Sequence, residues 1–181
     1  MQIAGLRIEL LMKRIVFLIG FCFCTLALMA QGSVHEPNLK AAFIYNFTKY
    51  IEWDTSDVHN DFVVGILGSS PVSGYLTEIA KTKSAKNKRI IIHHYNKPDE
   101  IGPCHILFIS ANTTFSLSSI LEHAGKGVLT ISEQPGYASQ GTALNFVIVN
   151  DKLKFEANLK AIYSAGLNAS SQLLKLAIII N

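Results

Sequence analysis

The feature of the sequence that most restricts its fold is a series of short, β-branched apolar runs separated by amphipathic segments. Four such runs are present, at residues 61–67, 89–95, 105–110 and 128–132. Their content of valine, isoleucine and leucine is typical of buried strands. Apolar residues at helical spacing occur between them, over residues 72–81 and 114–123. Strands that alternate with helices favour a mostly parallel sheet covered on both faces.

Two more strands and three more helices complete the predicted domain. The turn Asn150-Asp151-Lys152 predicts a hairpin, which would make one end of the sheet antiparallel. Its strands are predicted at residues 143–150 and 153–157, and the helices at residues 37–51, 158–165 and 170–178. Residues 81–89 are predicted to be a basic linker and residues 133–142 a loop. We therefore expect a single compact α/β domain whose mixed, mostly parallel sheet has about six strands and helices on both faces.

An uncharged run near the N-terminus is typical of a targeting segment. Residues 12–14 form a basic start, residues 15–30 carry no charge, and the polar residues 31–33 follow at once. This order is that of a secretory signal peptide. We expect residues 1–30 to be cleaved and residues 31–181 to form the exported domain. The alternative is an uncleaved anchor, but an apolar run of about 16 residues is shorter than the ~20 that span a bilayer.

The composition of the predicted mature domain excludes several classes of protein. Residues 1–30 hold three of the 16 Lys and Arg and one of the 13 Asp and Glu, so the mature domain keeps 13 and 12. Nearly equal numbers of positive and negative side chains do not suit a nucleic-acid-binding surface, which needs an excess of positive charge. Cys104 is its only cysteine, so no internal disulfide can form. Because Cys104 directly precedes an apolar strand, we expect a buried, inert thiol.

Catalytic and metal-binding motifs are absent from the sequence. It contains no GxSxG elbow, P-loop, GxGxxG or HExxH. The adjacent pair His93 and His94 lies on a predicted strand, where successive side chains point to opposite faces and cannot share one ion. The pair is interpreted as a polar strand edge. We therefore predict no enzyme activity, no cofactor and no metal site.

Two loops that follow predicted strands form a candidate ligand site. Gly68, Ser69 and Ser70 come after one strand, and Asn112 and Thr113 come after another. Backbone N–H groups at helix starts can bind an anion, and ligands of open α/β sheets bind at strand ends. The alternative is a structural role, in which Ser70 and either Asn112 or Thr113 cap the helices that follow.

The first predicted helix carries more aromatic side chains than one buried stripe requires. Phe43, Phe47 and Tyr50 recur at helical spacing, whereas Tyr45 and Trp53 lie off that stripe. Aromatic residues left over after core packing are candidates for a protein interface. We predict that Tyr45, Tyr50 and Trp53 bind a partner, with a helix buried all round as the alternative.

The ordered set of these segments resembles the YfiR-like family of periplasmic proteins. The similarity extends over nearly the whole mature chain, at residues 39–47, 50, 53, 64–68, 104–110, 128–132, 145–147, 155–159, 165–167 and 170–177. The resemblance implies an exported α/β domain that forms homodimers and is not an enzyme. Some members use disulfides as a redox control. Cys104 matches one of the family's cysteine positions, but the mature chain has no second cysteine to pair with it.

The resemblance also implies a function. The best-understood members of the family bind the periplasmic part of an inner-membrane diguanylate cyclase and hold it inactive. This lowers the level of cyclic-di-GMP and reduces biofilm formation. The sequence therefore predicts a periplasmic regulatory protein that represses such an enzyme. The alternative function is that of a small-ligand-binding periplasmic module that acts with a membrane sensor kinase.

Overall fold

The computed structural model describes residues 35–53 and 60–180 of the chain, and the predicted signal peptide lies outside them. The helices in these ranges are α1 (His35–Tyr50), α2 (Val72–Thr82), α3 (Leu117–Ala124), α4 (Tyr137–Gln140), α5 (Leu159–Ser164) and α6 (Ser171–Leu174). The strands are β1 (Ile51–Glu52), β2 (Asp61–Leu67), β3 (Ser84–Ala85), β4 (Lys88–Tyr95), β5 (Ile106–Ile109), β6 (Leu129–Ser132), β7 (Leu144–Val149), β8 (Lys152–Asn158), β9 (Asn168–Ala169) and β10 (Ile178–Ile180).

The main sheet has eight strands in the order β10-β8-β7-β6-β5-β2-β4-β3. Five neighbouring pairs are parallel: β4 with β2, β2 with β5, β5 with β6, β6 with β7, and β8 with β10. The hairpins β3–β4 and β7–β8 are antiparallel. Strands β1 and β9 form a separate antiparallel pair. The predicted mixed, mostly parallel α/β sheet is confirmed, with eight strands rather than about six.

Apolar side chains on the two faces of the sheet form two core clusters. The larger cluster joins α1, α2, α5 and α6 to one face, and Phe47, Phe108 and Phe155 are among its fully buried members. The smaller cluster packs α3 on the other face through Leu117 and Ile120. The alternation along β5 explains this division, since Phe108 belongs to the larger cluster and Leu107 to the smaller. Helices therefore cover both faces, as the sequence predicted.

The C-terminal segment differs from the prediction. A helix was expected over residues 170–178, but α6 ends at Leu174 and Ile178–Ile180 form strand β10. Ser170 caps the start of α6, because the Leu173 amide donates to Ser170 Oγ at 3.3 Å. The apolar residues after α6 fit a helix by spacing, but the isoleucines pair with β8. Pairing with a neighbouring strand thus overrides the local pattern.

Three smaller differences affect the loops. The predicted linker at residues 81–89 contains β3 and a tight turn in which Lys86 and Asn87 have φ of 51° and 62°. The predicted loop at residues 133–142 contains α4. Helix α3 begins at Leu117 rather than at residue 114, because Ser116 caps it by accepting from the Ser119 amide at 3.3 Å. The structural alternative in which Asn112 or Thr113 caps this helix is therefore wrong.

Candidate functional site

The sheet topology places one candidate site at the carboxyl ends of β2 and β5. From β2 the chain crosses to β4 on one side, and it then returns to form β5 on the other side of β2. The strand order therefore reverses between β2 and β5, and ligands of open α/β sheets bind outside such a switch point. The loops that follow these two strands are residues 68–71 and 110–116, which include all the predicted ligand-binding residues.

The two loops contact each other through the Ser69 carbonyl oxygen. Ser110 Oγ donates to that oxygen at 2.6 Å, and Asn112 Nδ2 donates to it at 3.3 Å. Gly68 has a φ of +85°, which side chains rarely adopt. The structure thus brings Gly68, Ser69 and Asn112 together at the carboxyl ends of β2 and β5, and we call this place between the two loops the switch-point crevice. Ser110, which connects the loops, was missing from the predicted set.

Ser70 serves the helix start rather than the crevice. Its hydroxyl accepts from the Val72 amide at 3.2 Å, and the residue is 9% exposed. The Ser73 amide donates to the Ser70 carbonyl oxygen at 3.2 Å. These contacts match the structural alternative for Ser70, in which it stabilises the first turn of α2.

Thr113 presents a buried hydroxyl in the same loop. Its amide donates to the Ser110 carbonyl oxygen at 3.1 Å, and its backbone lies 3.8 Å from the position that a Cβ on Gly68 would occupy. Thr113 Oγ1 is buried and has no hydrogen-bond partner within residues 35–53 and 60–180. A buried hydroxyl left without a partner costs about 1–3 kcal/mol. Such a group is an available hydrogen-bonding position for water or a ligand.

A nearly buried ion pair connects the crevice to α1. Lys40 Nζ lies 2.6 Å from Glu133 Oε2, and the two side chains are 12% and 10% exposed. The other carboxylate oxygen of Glu133 accepts from the Ala111 amide at 3.0 Å. This pair could not be predicted from the sequence, because 93 residues separate its members and neither lies in a motif.

The second candidate site lies at the opposite ends of the same strands, where Trp53 covers the edge of the core. Its ring contacts Phe62 edge to face at 5.2 Å between centroids, and its Nε1 donates to the His105 carbonyl oxygen at 3.2 Å. Lys86 Nζ lies 5.8 Å from the Trp53 ring centroid. Trp53 is half-buried, so one part of a firmly oriented indole remains exposed beside a cation.

The tyrosines of α1 do not form one continuous surface with each other. Tyr45 and Tyr50 are both partly buried against the larger cluster, and Lys49 Nζ lies 4.7 Å from the Tyr45 ring centroid. Residues five apart on a helix are separated by about 140° around its axis. The two tyrosines therefore point in different directions from the helix, and Tyr50 is three residues from Trp53 along the chain. The predicted stripe of Phe43 and Phe47 packs inward on phenylalanines of β7 and β8.

The histidines occupy separate environments. His93 and His94 are neighbours on β4, where successive side chains point to opposite faces, and the His93 ring lies 6.3 Å from that of Tyr95. His105 is buried, stacks on Phe62 at 4.4 Å, and accepts from the Val63 amide through Nδ1 at 3.0 Å. In the described part of the chain, no three His, Cys, Asp or Glu residues are grouped to hold a metal ion.

Cys104 is buried against strand β2, as the sequence predicted. Burial raises the pKa of its thiol to about 12, although a hydrogen bond with the Gly65 backbone lowers it. At neutral pH the group is therefore a protonated, unreactive thiol. Burial also raises the pKa of the nearby Tyr95 hydroxyl, and the proximity of Cys104 adds to that shift.

Comparison with known protein families matches residues 37–178 to the YfiR/HmsC-like family. The chain belongs to the YfiR/HmsC-like family. Its members are periplasmic regulators, and the match includes every element from α1 to β10 in whole or in part. A search of curated proteins found no match. Among the described residues of this YfiR/HmsC-like chain, no helix has the length and apolar character needed to cross a membrane.

Proposed function

We propose that the chain is a periplasmic regulatory protein that represses an inner-membrane signalling enzyme, a diguanylate cyclase. The observation that carries the proposal is the family match over residues 37–178. In this proposal the chain is exported by a cleaved signal peptide, acts as a homodimer and has no catalytic activity of its own. By inhibiting the cyclase it lowers cyclic-di-GMP and reduces biofilm formation.

The surface around Trp53 and Tyr50 is the proposed contact for the membrane enzyme. Aromatic residues at the centre of an interface contribute much of the binding energy. Trp53 is oriented before binding by its contact with Phe62 and its hydrogen bond to the His105 carbonyl oxygen. A side chain that is already ordered loses less entropy when a partner binds. Tyr45 is a separate contact on the same helix.

The function is tested in the host bacterium by measuring cyclic-di-GMP. Deletion of the coding sequence is expected to raise cyclic-di-GMP, and the full-length chain supplied in trans should restore the original level. Affinity capture from detergent-solubilised envelope should recover a membrane cyclase with a periplasmic domain. Unchanged cyclic-di-GMP together with no captured cyclase, for a protein shown to be folded, would contradict the proposal.

Variants of the predicted contact residues are tested for binding to the captured membrane cyclase. Replacement of an aromatic residue at the centre of an interface costs about 2 kcal/mol or more, which weakens binding by about 30-fold. We expect that loss for Trp53→Ala or Tyr50→Ala, each with its melting temperature measured to verify folding. Tyr163→Ala is the matched control, because Tyr163 lies on α5 and is 55% exposed. Equal binding by all three variants would exclude the assigned surface.

The second candidate function is small-ligand binding at the switch-point crevice, coupled to a membrane sensor kinase. The specific observation that favours it is the buried Thr113 hydroxyl beside the Ser69 and Asn112 loop contacts. A ligand that binds only the folded state raises its melting temperature. A thermal-shift screen of small anions and polar metabolites should find such a rise, and Ser69→Ala with Asn112→Ala should abolish it. If the rise persists in that variant, the ligand binds elsewhere.

A further inference from the structure

The two edges of the eight-stranded sheet differ in their protection against pairing with another chain. At one edge, β3 is only two residues long and is flanked by the exposed residues Lys83 and Lys86. Short strands and lysines are common means of preventing edge-to-edge association. At the other edge, β10 consists of three isoleucines, with neither charge nor proline. Although β10 is also short, this edge therefore lacks the lysines that flank β3 and any other charge or proline within the strand.

The β10 edge is also exposed and apolar. β10 is at one end of the strand order, so its outer side pairs with no other strand of the described ranges. Ile178 and Ile179 are 37% and 39% exposed, and the preceding Leu176 is 68% exposed. Backbone N–H and C=O groups on an open edge bind an additional strand, and apolar side chains beside them strengthen the contact.

We propose that two copies of this chain pair through β10, antiparallel and centred on Ile179. The pairing would extend the sheet across a two-fold axis, with Ile179 facing its equivalent and Ile178 facing Ile180 of the second copy. No charged side chain would be buried at this centre. The inference assigns a surface to the homodimer of the proposed function, and it rests on that function only for its biological role.

The charges near β10 fit an antiparallel pair of copies. Lys175 directly precedes the strand region and is exposed. Lys154 of β8 is also exposed, and it lies two positions before Glu156, which pairs with Ile178. Both cations are thus near the amino end of β10. Antiparallel pairing places the two amino ends far apart, whereas parallel pairing would bring four like charges together.

The size of this surface predicts a weak dimer. Interfaces that bury less than about 1,200 Å² in total belong to weak or transient complexes, and a three-residue ladder with Leu176 beside it is in that class. We therefore expect micromolar, concentration-dependent association of folded monomers. The core clusters are internal to one copy, so a monomeric variant should remain folded.

Disulfide cross-linking tests the register of the pair. The protein is expressed from the full-length coding sequence and purified as the cell processes it. Ile179→Cys would place two thiols opposite each other, at Cα separations of about 4.5–5.5 Å, within the disulfide range of about 4.4–6.8 Å. Ile148→Cys is the matched control, since Ile148 lies on β7 and is 54% exposed. We expect the Ile179→Cys dimer to form at least tenfold faster, and equal rates would contradict the register.

Sedimentation velocity tests the association itself. A concentration series from about 1 to about 200 µM spans the range expected for a small interface. The wild-type protein should shift from monomer to dimer, Ile179→Lys should remain monomeric, and Ile148→Lys should behave as the wild type does. A wild-type protein that stays monomeric throughout, or an Ile179→Lys variant that dimerises normally, would overturn the proposal.

The same variants separate this inference from the proposed function. If wild type dimerises through β10 but captures no membrane cyclase, the edge assignment stands and the proposed function fails. If the cyclase is captured but wild type and Ile179→Lys are both monomeric, the binding of the cyclase stands, whereas the homodimer and the edge assignment fail. If Ile179→Lys loses capture while the monomer–dimer equilibrium is unchanged, β10 binds the membrane partner and the second-copy proposal is overturned.

Discussion

Thr113 offers the most direct test of the switch-point crevice at the scale of single residues. Its Oγ1 is buried without a hydrogen-bond partner in the described part of the chain. Valine has the same shape without the hydroxyl, so Thr113→Val should remove an unsatisfied polar group. We expect the free energy of unfolding to rise by about 1 kcal/mol in urea denaturation. The variant should also lose any ligand-induced rise in melting temperature.

A second buried threonine provides the control for this substitution. Thr142 is fully buried, and its hydroxyl oxygen lies 3.3 Å from Ser132 Oγ. Thr142→Val should therefore destabilise the protein by about 1 kcal/mol, since it removes a satisfied hydrogen bond. If both variants lose stability equally, the Thr113 hydroxyl has a partner in solution, and the argument for a ligand position there fails.

Cys104 predicts a specific loss of stability at alkaline pH. Burial raises the pKa of its thiol to about 12 from an ordinary value of 9.0. Between these values the unfolded chain releases the thiol proton while the folded chain retains it. The free energy of unfolding should therefore fall by about 1.4 kcal/mol per pH unit from pH ~9 upward, because the unfolded state binds fewer protons.

Comparison with Cys104→Ala isolates this contribution from those of the other titrating groups. Urea denaturation of both proteins at pH ~8 and pH ~10.5 is expected to show a steeper loss for the wild type. The stability difference between the two proteins at pH ~8 then measures packing alone. A difference that stays constant over this pH range would mean that the thiol is accessible and ionises in the folded state.

At the scale of elements, two glycines have opposite roles. Gly65 lies in β2, and a Cβ there would approach Tyr95 Cε2 to 2.6 Å and Leu107 Cδ1 to 3.3 Å. Gly74 lies inside α2, is exposed, and a Cβ there would meet nothing within 4 Å. Alanine favours a helix over glycine by about 1 kcal/mol. Gly74→Ala should thus stabilise the protein by about that amount.

Gly65→Ala should have the opposite effect, because the strand and Tyr95 must move to admit a methyl group. Overpacking of a core costs about 1–3 kcal/mol. Thermal and urea denaturation of the two variants provide the comparison, with near-ultraviolet circular dichroism to follow Tyr95. An unchanged stability for Gly65→Ala would mean that Tyr95 has another position available, and that the close packing of β2 on β4 is not required.

The elements that the sequence predicts well are those whose patterns agree with their final environment. Strand β2 is an apolar run rich in Val and Ile, and in the structure it lies between β4 and β5. Its local composition therefore predicts the buried strand that the structure contains. Residues 176–178 fit both a helix and a strand by spacing, since short apolar runs are ambiguous. Only the presence of the β8 edge selects the strand, and no local feature of the sequence reports that edge.

In the switch-point crevice, too, some residues could be predicted from local sequence and others depend on how distant elements pack. Gly68, Ser69 and Asn112 were predictable, because each follows a recognisable strand and carboxyl ends of parallel strands share one edge. The Lys40–Glu133 pair was not, since its geometry depends on how α1 packs over the sheet. The Ser116 cap was missed because Asn112 and Thr113 offer equally good capping side chains closer to the preceding strand.

For the whole molecule, the Lys40–Glu133 pair connects the two candidate sites. Lys40 is on α1, which also carries Tyr45 and Tyr50, and Glu133 binds the Ala111 amide in the crevice loop. A ligand that moved the Ala111 loop would therefore act on the carboxylate that holds Lys40. Coupling between two sites requires a contiguous physical connection of this kind. It also requires that the binding free energy at one site change when the other site is occupied.

The strength of that connection can be measured with single and double variants. Loss of one partner from this nearly buried ion pair removes a hydrogen bond between two charged groups, and such a bond contributes about 2 kcal/mol. We expect Glu133→Gln and Lys40→Met each to lower the free energy of unfolding by about that amount. The double variant should lose less than the sum of the two, because each single variant already removes the same Lys40–Glu133 contact. Additive losses in urea denaturation would mean that the two side chains do not interact energetically. Crevice and α1 would then respond to their partners independently.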